Sequence, residues 1–233
     1  MAAEKADVII IGAGAIGCAI AYYLSKEGAK VIVVEQDSIG AHASGYAPGI
    51  LNPQAAVPEH MEIMLPLTTR SFQLHKELYQ QLLEESGIDY YFRQSAILTL
   101  AFTQAEAQEI KSKVEILKQQ GFKTSWLNGD DVRLIDARIS PEVTGAAYSE
   151  DAGELDSYRY VLALAQAAEK YGAEIRNGRF TGLKRKGTRL TAVQLSSGDV
   201  ACDCAFWPWG FGPAWPLQLS VFLYPSGRKK GRR

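Results

Sequence analysis

The chain opens on a hydrophobic pattern that alternates short apolar runs with a glycine-rich segment. Residues 7–11 and 30–35 are β-branched apolar runs, which is typical of strands buried on both faces of a parallel sheet. Between them, residues 12–17 predict a turn, and residues 18–26 have helical character that ends at Gly28. The segment is therefore predicted to be a βαβ unit.

Helical and strand-like periods alternate through the remainder of the chain. Helices are predicted over residues 68–86, from the Thr103 capping box to before Gly121, over 131–137, and over 157–171 behind an Asp156 cap. Strands are predicted over residues 89–92, 96–101, 123–127, 173–175, 179–185, 189–195 and 199–203. The pattern predicts an α/β fold that combines a Rossmann-like parallel sheet with a part that has antiparallel strands.

Composition and charge narrow the class of protein. The 233 residues are 47% hydrophobic and 22% charged with a formal net charge of -1, which predicts a soluble protein without a nucleic-acid partner. The three cysteines form neither a disulfide framework nor a zinc spacing, so we expect reduced thiols, a cytoplasmic location and no metal. The uncharged run over residues 8–24 is shorter than the about 20 residues of a membrane span and contains three glycines, so no span is predicted.

The glycine-rich turn has the spacing G-x-G-x-x-G, and it follows a predicted strand and opens a helix. An acidic residue, Glu35, ends the next strand, which completes the dinucleotide-binding fingerprint. Its carboxylate can accept hydrogen bonds from a ribose diol and would repel a 2′-phosphate, which argues against NADP. Both FAD and NAD remain open. The predicted cofactor contacts around this turn are Gly12, Gly14, Ala15, Ile16, Gly17, Glu35 and Gln36.

Longer stretches carry a family resemblance. The chain resembles the FAD-dependent amine and amino-acid oxidoreductases of the D-amino-acid oxidase, glycine oxidase and sarcosine oxidase type. The resemblance lies in GAGAIGCAIAYYLSKEGAKVIVVEQ followed by GAHASGYAPGIL, and later in SPEVTGAAYSEDAGELDSYRYVLALAQAAEKYGAEI. The resemblance covers about the first 205 residues. It implies FAD as cofactor, a small amine or amino acid as substrate, and hydride transfer from the carbon beside the nitrogen to the flavin. It implies FAD-binding parts at residues 1–87 and 151–205, and a partial substrate domain at 88–150.

The resemblance also implies further site residues. In the family a second loop runs under the flavin, which by position implicates His42, Ala43 and Ser44, followed by Pro48, Gly49 and Ile50. Tyr46 occupies the place where some relatives attach FAD through histidine, so non-covalent FAD is expected. The backbone of Phe180 is expected to bracket the adenine. No catalytic residue can be named, and the oligomeric state remains open.

The segment FWPWGFG from Phe206 onward departs from the family pattern, and its proline argues against a central strand. Back-translated and read from the third base of the Phe206 codon, taken as C, this segment encodes Leu-Ala-x-Gly followed by an apolar residue and Trp or Arg, which restores the family pattern. We therefore expect the frame to change near Phe206, no regular core strand after about Asp203, and an aberrant or disordered tail over residues 206–233. Since the groups that bind substrate lie in the family's second half, we expect little turnover. The alternatives are an aromatic docking segment with a basic tail, an NAD-dependent dehydrogenase module, and a non-catalytic remnant.

Overall fold

A computed structural model describes residues 5–54 and 61–208. Within these residues the chain forms two compact units, the first from residues 5–47, 81–90 and 157–208, and the second from residues 48–54, 61–80 and 91–156. The elements in chain order are β1 (Lys5–Ile11), α1 (Ala15–Lys26), β2 (Val31–Glu35), α2 (Ala43–Tyr46), β3 (Ile50–Leu51), α3 (Met61–Ser86), β4 (Arg93–Gln94), β5 (Ile97–Ala101), α4 (Gln104–Gln119), β6 (Thr124–Asn128), α5 (Gly129–Ile135), β7 (Gly145–Ser149), β8 (Gly153–Glu154), α6 (Ser157–Lys170), β9 (Glu174–Asn177), β10 (Phe180–Lys186), β11 (Arg189–Leu195) and β12 (Gly198–Phe206).

The first unit is built on a six-stranded sheet in the order β10-β11-β12-β1-β2-β9. The strands β12, β1, β2 and β9 are parallel, while β10, β11 and β12 form an antiparallel meander. The side chains of Ile9, Ile32 and Val193 are fully buried in the core of this sheet. Their β-branched shape suits a strand that is covered on both faces, as the sequence pattern predicts.

Two helices of the first unit, α1 and α6, pack against each other. Alanines on α6, such as Ala163 and Ala167, are completely buried, and their small side chains let the two backbones approach. Ser25 lies in this contact, where its hydroxyl donates to the Ala21 carbonyl at 2.7 Å and reaches the Ala168 carbonyl at 3.3 Å. This packing places the N-terminus of α1 at the carboxyl edge of the parallel strands, where α/β sheets bind ligands.

The second unit contains two small antiparallel sheets, in the orders β3-β8-β4 and β5-β7-β6. Val132, Val143 and Ala146 form a buried cluster beside the second of these sheets. The helix α4 begins with the predicted capping box, because the Thr103 hydroxyl accepts from the Glu106 amide and the Glu106 carboxylate accepts from the Thr103 amide. The α/β fold class with parallel and antiparallel sheets is confirmed.

Several predicted boundaries differ from the structure. Helix α1 begins at Ala15 rather than residue 18, α3 begins at Met61 rather than residue 68, and residues 89–92 are not a strand. Strand β7 was not predicted, because its sequence GAAYS lacks the β-branched residues by which strands are recognised. Residues 61–80 belong to the second unit by their contacts, whereas the family resemblance predicted that residues 1–87 belong to the FAD-binding part. As a statement about cofactor binding, that assignment stays a prediction.

The expectation of no regular core strand after about Asp203 is wrong for the next three residues. Strand β12 continues through Phe206, which pairs with Ile10 of β1 in parallel register. The tail was predicted over residues 206–233; its first residue, Phe206, lies in β12, and residues 209–233 lie outside the described residues. Across the residues that the structure does describe, no helix combines the length and apolar character needed to cross a membrane.

Candidate functional site

The turn between β1 and α1 is held closely by the main chain. Gly12 has a φ of 106°, a conformation that favours glycine, and its N–H donates to the Val34 carbonyl at 2.8 Å. A Cβ on Gly17 would overlap the Gly12 carbonyl, so only glycine fits where the helix crosses the turn. Both roles agree with those predicted from the fingerprint.

The first turn of α1 presents main-chain N–H groups. Gly14 caps the helix without a side-chain hydrogen bond, and the first N–H groups of an α-helix have no acceptor within the helix. The Ala15 N–H donates to the Ser44 hydroxyl at 3.0 Å. Ile16 follows with 60% of its surface exposed, and Gly17 is buried. The partial positive charge of this helix end favours an anion such as a phosphate.

The second loop is anchored against this turn. The Gly40 N–H donates to the Ala13 carbonyl at 3.0 Å, and a Cβ on Gly14 would lie 3.0 Å from the Ser44 hydroxyl. Ser44 belongs to the short helix α2, whose backbone lies close to the ring of Tyr158 at Gly45. The structure therefore brings Ser44 together with Gly14 and Ala15.

The other two predicted residues of this loop segment lie on its exposed side. His42 precedes α2, and its Nε2 lies 2.7 Å from the Asp37 carboxylate. Ala43 is the first residue of α2 and is also exposed. Their predicted contacts with a cofactor stay predictions.

The carboxylate of Glu35 faces the glycine turn. One oxygen accepts from the Ala13 N–H at 2.8 Å, and the other accepts from the Asp37 N–H at 2.9 Å. Each carboxylate oxygen can accept a further hydrogen bond, which leaves capacity for ribose hydroxyls.

Burial, with the nearby charges of Glu35 and Glu169, raises the pKa of the Cys18 thiol to about 12, so this cysteine stays neutral and unreactive.

A neighbouring strand fixes the chain that follows Glu35. The side-chain amide of Asn177, at the end of β9, donates to the Gln36 carbonyl at 3.3 Å and to the Asp37 carbonyl at 3.2 Å. Phe180 begins β10 three residues later along the chain, and its ring centroid lies 5.1 Å from that of Trp207. Asn177 and Tyr158 were not among the predicted site residues. The only signal for Asn177 was its place in an Asn-Gly pair just after the strand predicted over residues 173–175.

The remaining predicted residues, Pro48, Gly49 and Ile50, belong to the second unit. Gly49 has a φ of 73°, and a Cβ there would overlap the Leu155 carbonyl, so the position requires glycine. Its own carbonyl accepts from the Leu155 N–H at 2.9 Å. Pro48 and Ile50 are exposed on either side.

The first unit fits the ADP half of a dinucleotide. Three features coincide at the end of β1. They are a position, Gly17, that tolerates only glycine, a helix start whose N-cap Gly14 makes no side-chain hydrogen bond, and an acid with spare acceptor capacity, Glu35. They match the needs of a pyrophosphate and a ribose diol. Within residues 5–54 and 61–208, no cluster of three or more His, Cys, Asp or Glu has the arrangement of a metal site.

Comparison with known proteins gives consistent matches. The family model described as FAD dependent oxidoreductase matches residues 7–207. The chain is 30% identical over 171 residues to the glycine oxidase of Geobacillus kaustophilus (strain HTA426), covering 73% of this chain and 45% of that protein. It is 29% identical to sarcosine oxidase subunit beta of an Arthrobacter species, covering 83% of this chain and 48% of that protein. Its structure matches the crystal structure of glycine oxidase from Bacillus cereus ATCC 14579 with a TM-score of 0.81 and 29% identity, covering 88% of this chain and 55% of the other. The chain thus spans about half the length of these relatives.

Proposed function

Because the chain belongs to the family of FAD dependent oxidoreductases, we propose that it binds FAD non-covalently and contributes to oxidation of the carbon–nitrogen bond of a small amino acid or amine. The observation that carries this proposal is the convergence of the α1 N-terminus, Ser44 and Glu35 at the end of β1. The similarity to glycine oxidase and to sarcosine oxidase subunit beta supports the substrate class.

The chain's own residues would bind and orient the cofactor. The N–H groups of Ile16 and Gly17 would donate to the pyrophosphate at the positive end of α1. Glu35 would accept hydrogen bonds from the adenosine ribose, where its charge also disfavours a 2′-phosphate. When bound, FAD supplies the hydride-accepting chemistry, and the protein supplies position and a dry environment.

Ser44 would have two effects at once. Its hydroxyl accepts from the Ala15 N–H at 3.0 Å, which fixes the second loop over the start of α1. The same oxygen also carries a proton that can be donated to a phosphate oxygen. Non-covalent attachment is supported by the presence of Tyr46, rather than histidine, at the family's attachment position; its side chain is 86% exposed.

The cellular setting is part of the proposal. We place the protein in the cytoplasm, with small molecules rather than nucleic acids as partners. Cys18, Cys202 and Cys204 form no disulfide among the described residues, and Cys18 and Cys202 are buried, which suits a reducing compartment.

The test is the visible absorption spectrum of the purified 233-residue chain before and after acid precipitation. We expect a flavin spectrum, and after precipitation we expect the colour in the supernatant. Colour that stays with the pellet would contradict non-covalent binding. A colourless protein that binds NADH would contradict the choice of FAD. Bleaching of the bound flavin by glycine, sarcosine or a D-amino acid without oxygen tests the oxidation.

A further inference from the structure

In the first unit, the strand pairing that fixes β2 ends at Glu35. The last register pair of β2 and β9 joins Glu35 to Asn177, and the Gly178 N–H donates to the Glu35 carbonyl at 2.8 Å. The next two residues, Gln36 and Asp37, are exposed and belong to no strand. Because the Asp37 N–H donates to the Glu35 carboxylate, the conformation of this loop affects the direction of that carboxylate.

The side chain of Asn177 fixes the loop where the strand pairing ends. Its Nδ2 donates to the Gln36 carbonyl at 3.3 Å and to the Asp37 carbonyl at 3.2 Å. An amide NH₂ group carries two N–H donors, so it can donate to both carbonyls at once. Two consecutive carbonyls of the loop are therefore fixed by one side chain of β9.

The peptide group between Gln36 and Asp37 links Asn177 to Glu35. Its carbonyl accepts from the Asn177 amide, and its N–H donates to Glu35 Oε1 at 2.9 Å. Since a trans peptide group is planar, its C=O and N–H point in opposite directions. A carbonyl fixed on Asn177 thus directs the N–H at Glu35, and the bond to the carbonyl also polarises the N–H.

This bond is one of two that fix the plane of the Glu35 carboxylate. The other oxygen, Oε2, accepts from the Ala13 N–H of the glycine turn at 2.8 Å. If the peptide group after Gln36 rotated, a carbonyl oxygen would replace the N–H beside Oε1 and would repel it. The carboxylate would then keep only the bond from Ala13, and its plane would be free to turn. A diol needs its acceptors in a fixed direction.

We propose that Asn177 is a positioning residue, which fixes the Glu35 carboxylate in the orientation that binds a ribose diol by acting through the Gln36–Asp37 peptide group. This inference rests on the proposed function and deepens it. Asn177 itself contacts main-chain carbonyls of the loop, so its effect on the cofactor is transmitted through Glu35.

Amide hydrogen exchange of Asp37, measured by NMR on the purified 233-residue chain, tests the positioning without reference to FAD. Asn177→Leu removes the two donors, keeps a side chain of similar size and adds no charge. We expect the Asp37 amide to exchange about fivefold or more faster in this variant, because its N–H is no longer directed at Glu35. The exchange of amides within α1 should not change.

Titration with FAD tests the consequence for the cofactor. Asn177→Leu should weaken FAD about fivefold, and Asn177→Asp about tenfold or more, because its carboxylate would face two carbonyl oxygens and add a negative charge beside Glu35 and Asp37. In a Glu35→Ala background, Asn177→Leu should cost less than about twofold, since the group that it positions is gone. A merely structural role would instead add its full loss to that of Glu35→Ala.

The matched control is Asn128→Asp, which makes the same change at another Asn-Gly pair, in the second unit. It should leave FAD affinity unchanged. An unaltered Asp37 exchange rate in Asn177→Leu with a native circular dichroism spectrum, full additivity with Glu35→Ala, or an equal loss in Asn128→Asp would each overturn the proposal. Faster Asp37 exchange in a chain that binds no FAD would support the positioning of Glu35 and contradict the proposed function, so the two failures are distinguishable.

Discussion

Replacing Glu85 with glutamine should destabilise the first unit through one buried cluster. Near the end of α3, Glu85 accepts hydrogen bonds from the Tyr22 hydroxyl at 2.7 Å, Lys26 Nζ at 3.1 Å, Gln81 Nε2 at 2.8 Å and the Tyr171 hydroxyl at 2.6 Å. These donors lie on α1, on α3 and just after α6, so the carboxylate ties three helical segments together. Its side chain is only 13% exposed.

The magnitude follows from the pKa of Glu85. Burial acts to raise this pKa, but the hydrogen bonds from Tyr171, Gln81, Tyr22 and Lys26 outweigh burial and lower it from 4.5 to about 2. A lowering of that size corresponds to about 3 kcal/mol of preference for the ionised form in the folded state. Glutamine keeps one acceptor oxygen, so we expect Glu85→Gln to lower the free energy of unfolding by about 2 kcal/mol at pH 7.

The pH dependence has a definite sign. Because the folded pKa of Glu85 is depressed, its contribution is complete above the unfolded value of 4.5 and is lost as the pH falls through 2. Between pH 7 and pH 4, the difference between wild type and Glu85→Gln should narrow by about 0.8 kcal/mol.

Urea unfolding followed by circular dichroism measures both effects. The matched control is Glu77→Gln on the same helix, where the Arg70–Glu77 pair is 58% exposed on both sides and should contribute less than about 1 kcal/mol. Equal losses in the two variants, or a Glu85→Gln difference that does not change with pH, would refute this account.

Four further predictions concern the candidate site, the cap of α4 and the reading frame near Phe206. Glu35→Ala should weaken FAD binding about tenfold or more, measured by flavin titration, because the ribose loses a charged acceptor; unchanged affinity in a folded variant would remove Glu35 from the ribose. Gly17→Val should abolish flavin retention, measured as the visible-to-280 nm absorbance ratio, since its Cβ overlaps the carbonyl of the first glycine of the turn. Thr103→Ala should lower the free energy of unfolding by about 1 kcal/mol in urea, because the helix loses its capping hydroxyl. In the source DNA, shifting the frame by one nucleotide near Phe206 should open a frame that continues the family pattern, whereas an immediate stop codon there would contradict the frame hypothesis.

Local patterns predicted the elements whose side chains repeat regularly. The strands β1, β2 and β11 were recognised from β-branched runs, and α4 from its capping box, because these signals lie within one element. Strand β7 was missed because it lacks a strand signal, and the first part of α3 was missed because it contains a residue that usually ends a helix. The sequence of β7 is rich in small residues, and α3 continues through Pro66, which normally marks a helix boundary. Tertiary packing decides such segments.

The candidate site divides in the same way. The fingerprint predicted Gly12, Gly17 and Glu35, since each role depends on spacing along one βαβ unit. The contacts of Asn177 with the chain after Glu35, and of Tyr158 with α2, join segments more than a hundred residues apart. No periodicity along the chain encodes these contacts, so only the folded structure could place them.

The end of β12 coincides with the start of the segment FWPWGFG, which departs from the family pattern. Phe206 is the last residue of β12 and pairs with Ile10, one residue before β1 itself ends. Pro208 follows after Trp207, and a proline has no N–H with which to continue a parallel ladder. The family model matches residues up to 207, so the regular strand and the match to this model end within one residue of each other. The predicted change of frame near Phe206 would therefore begin where β12 has already paired with β1 along almost its whole length, and this is compatible with an intact parallel core.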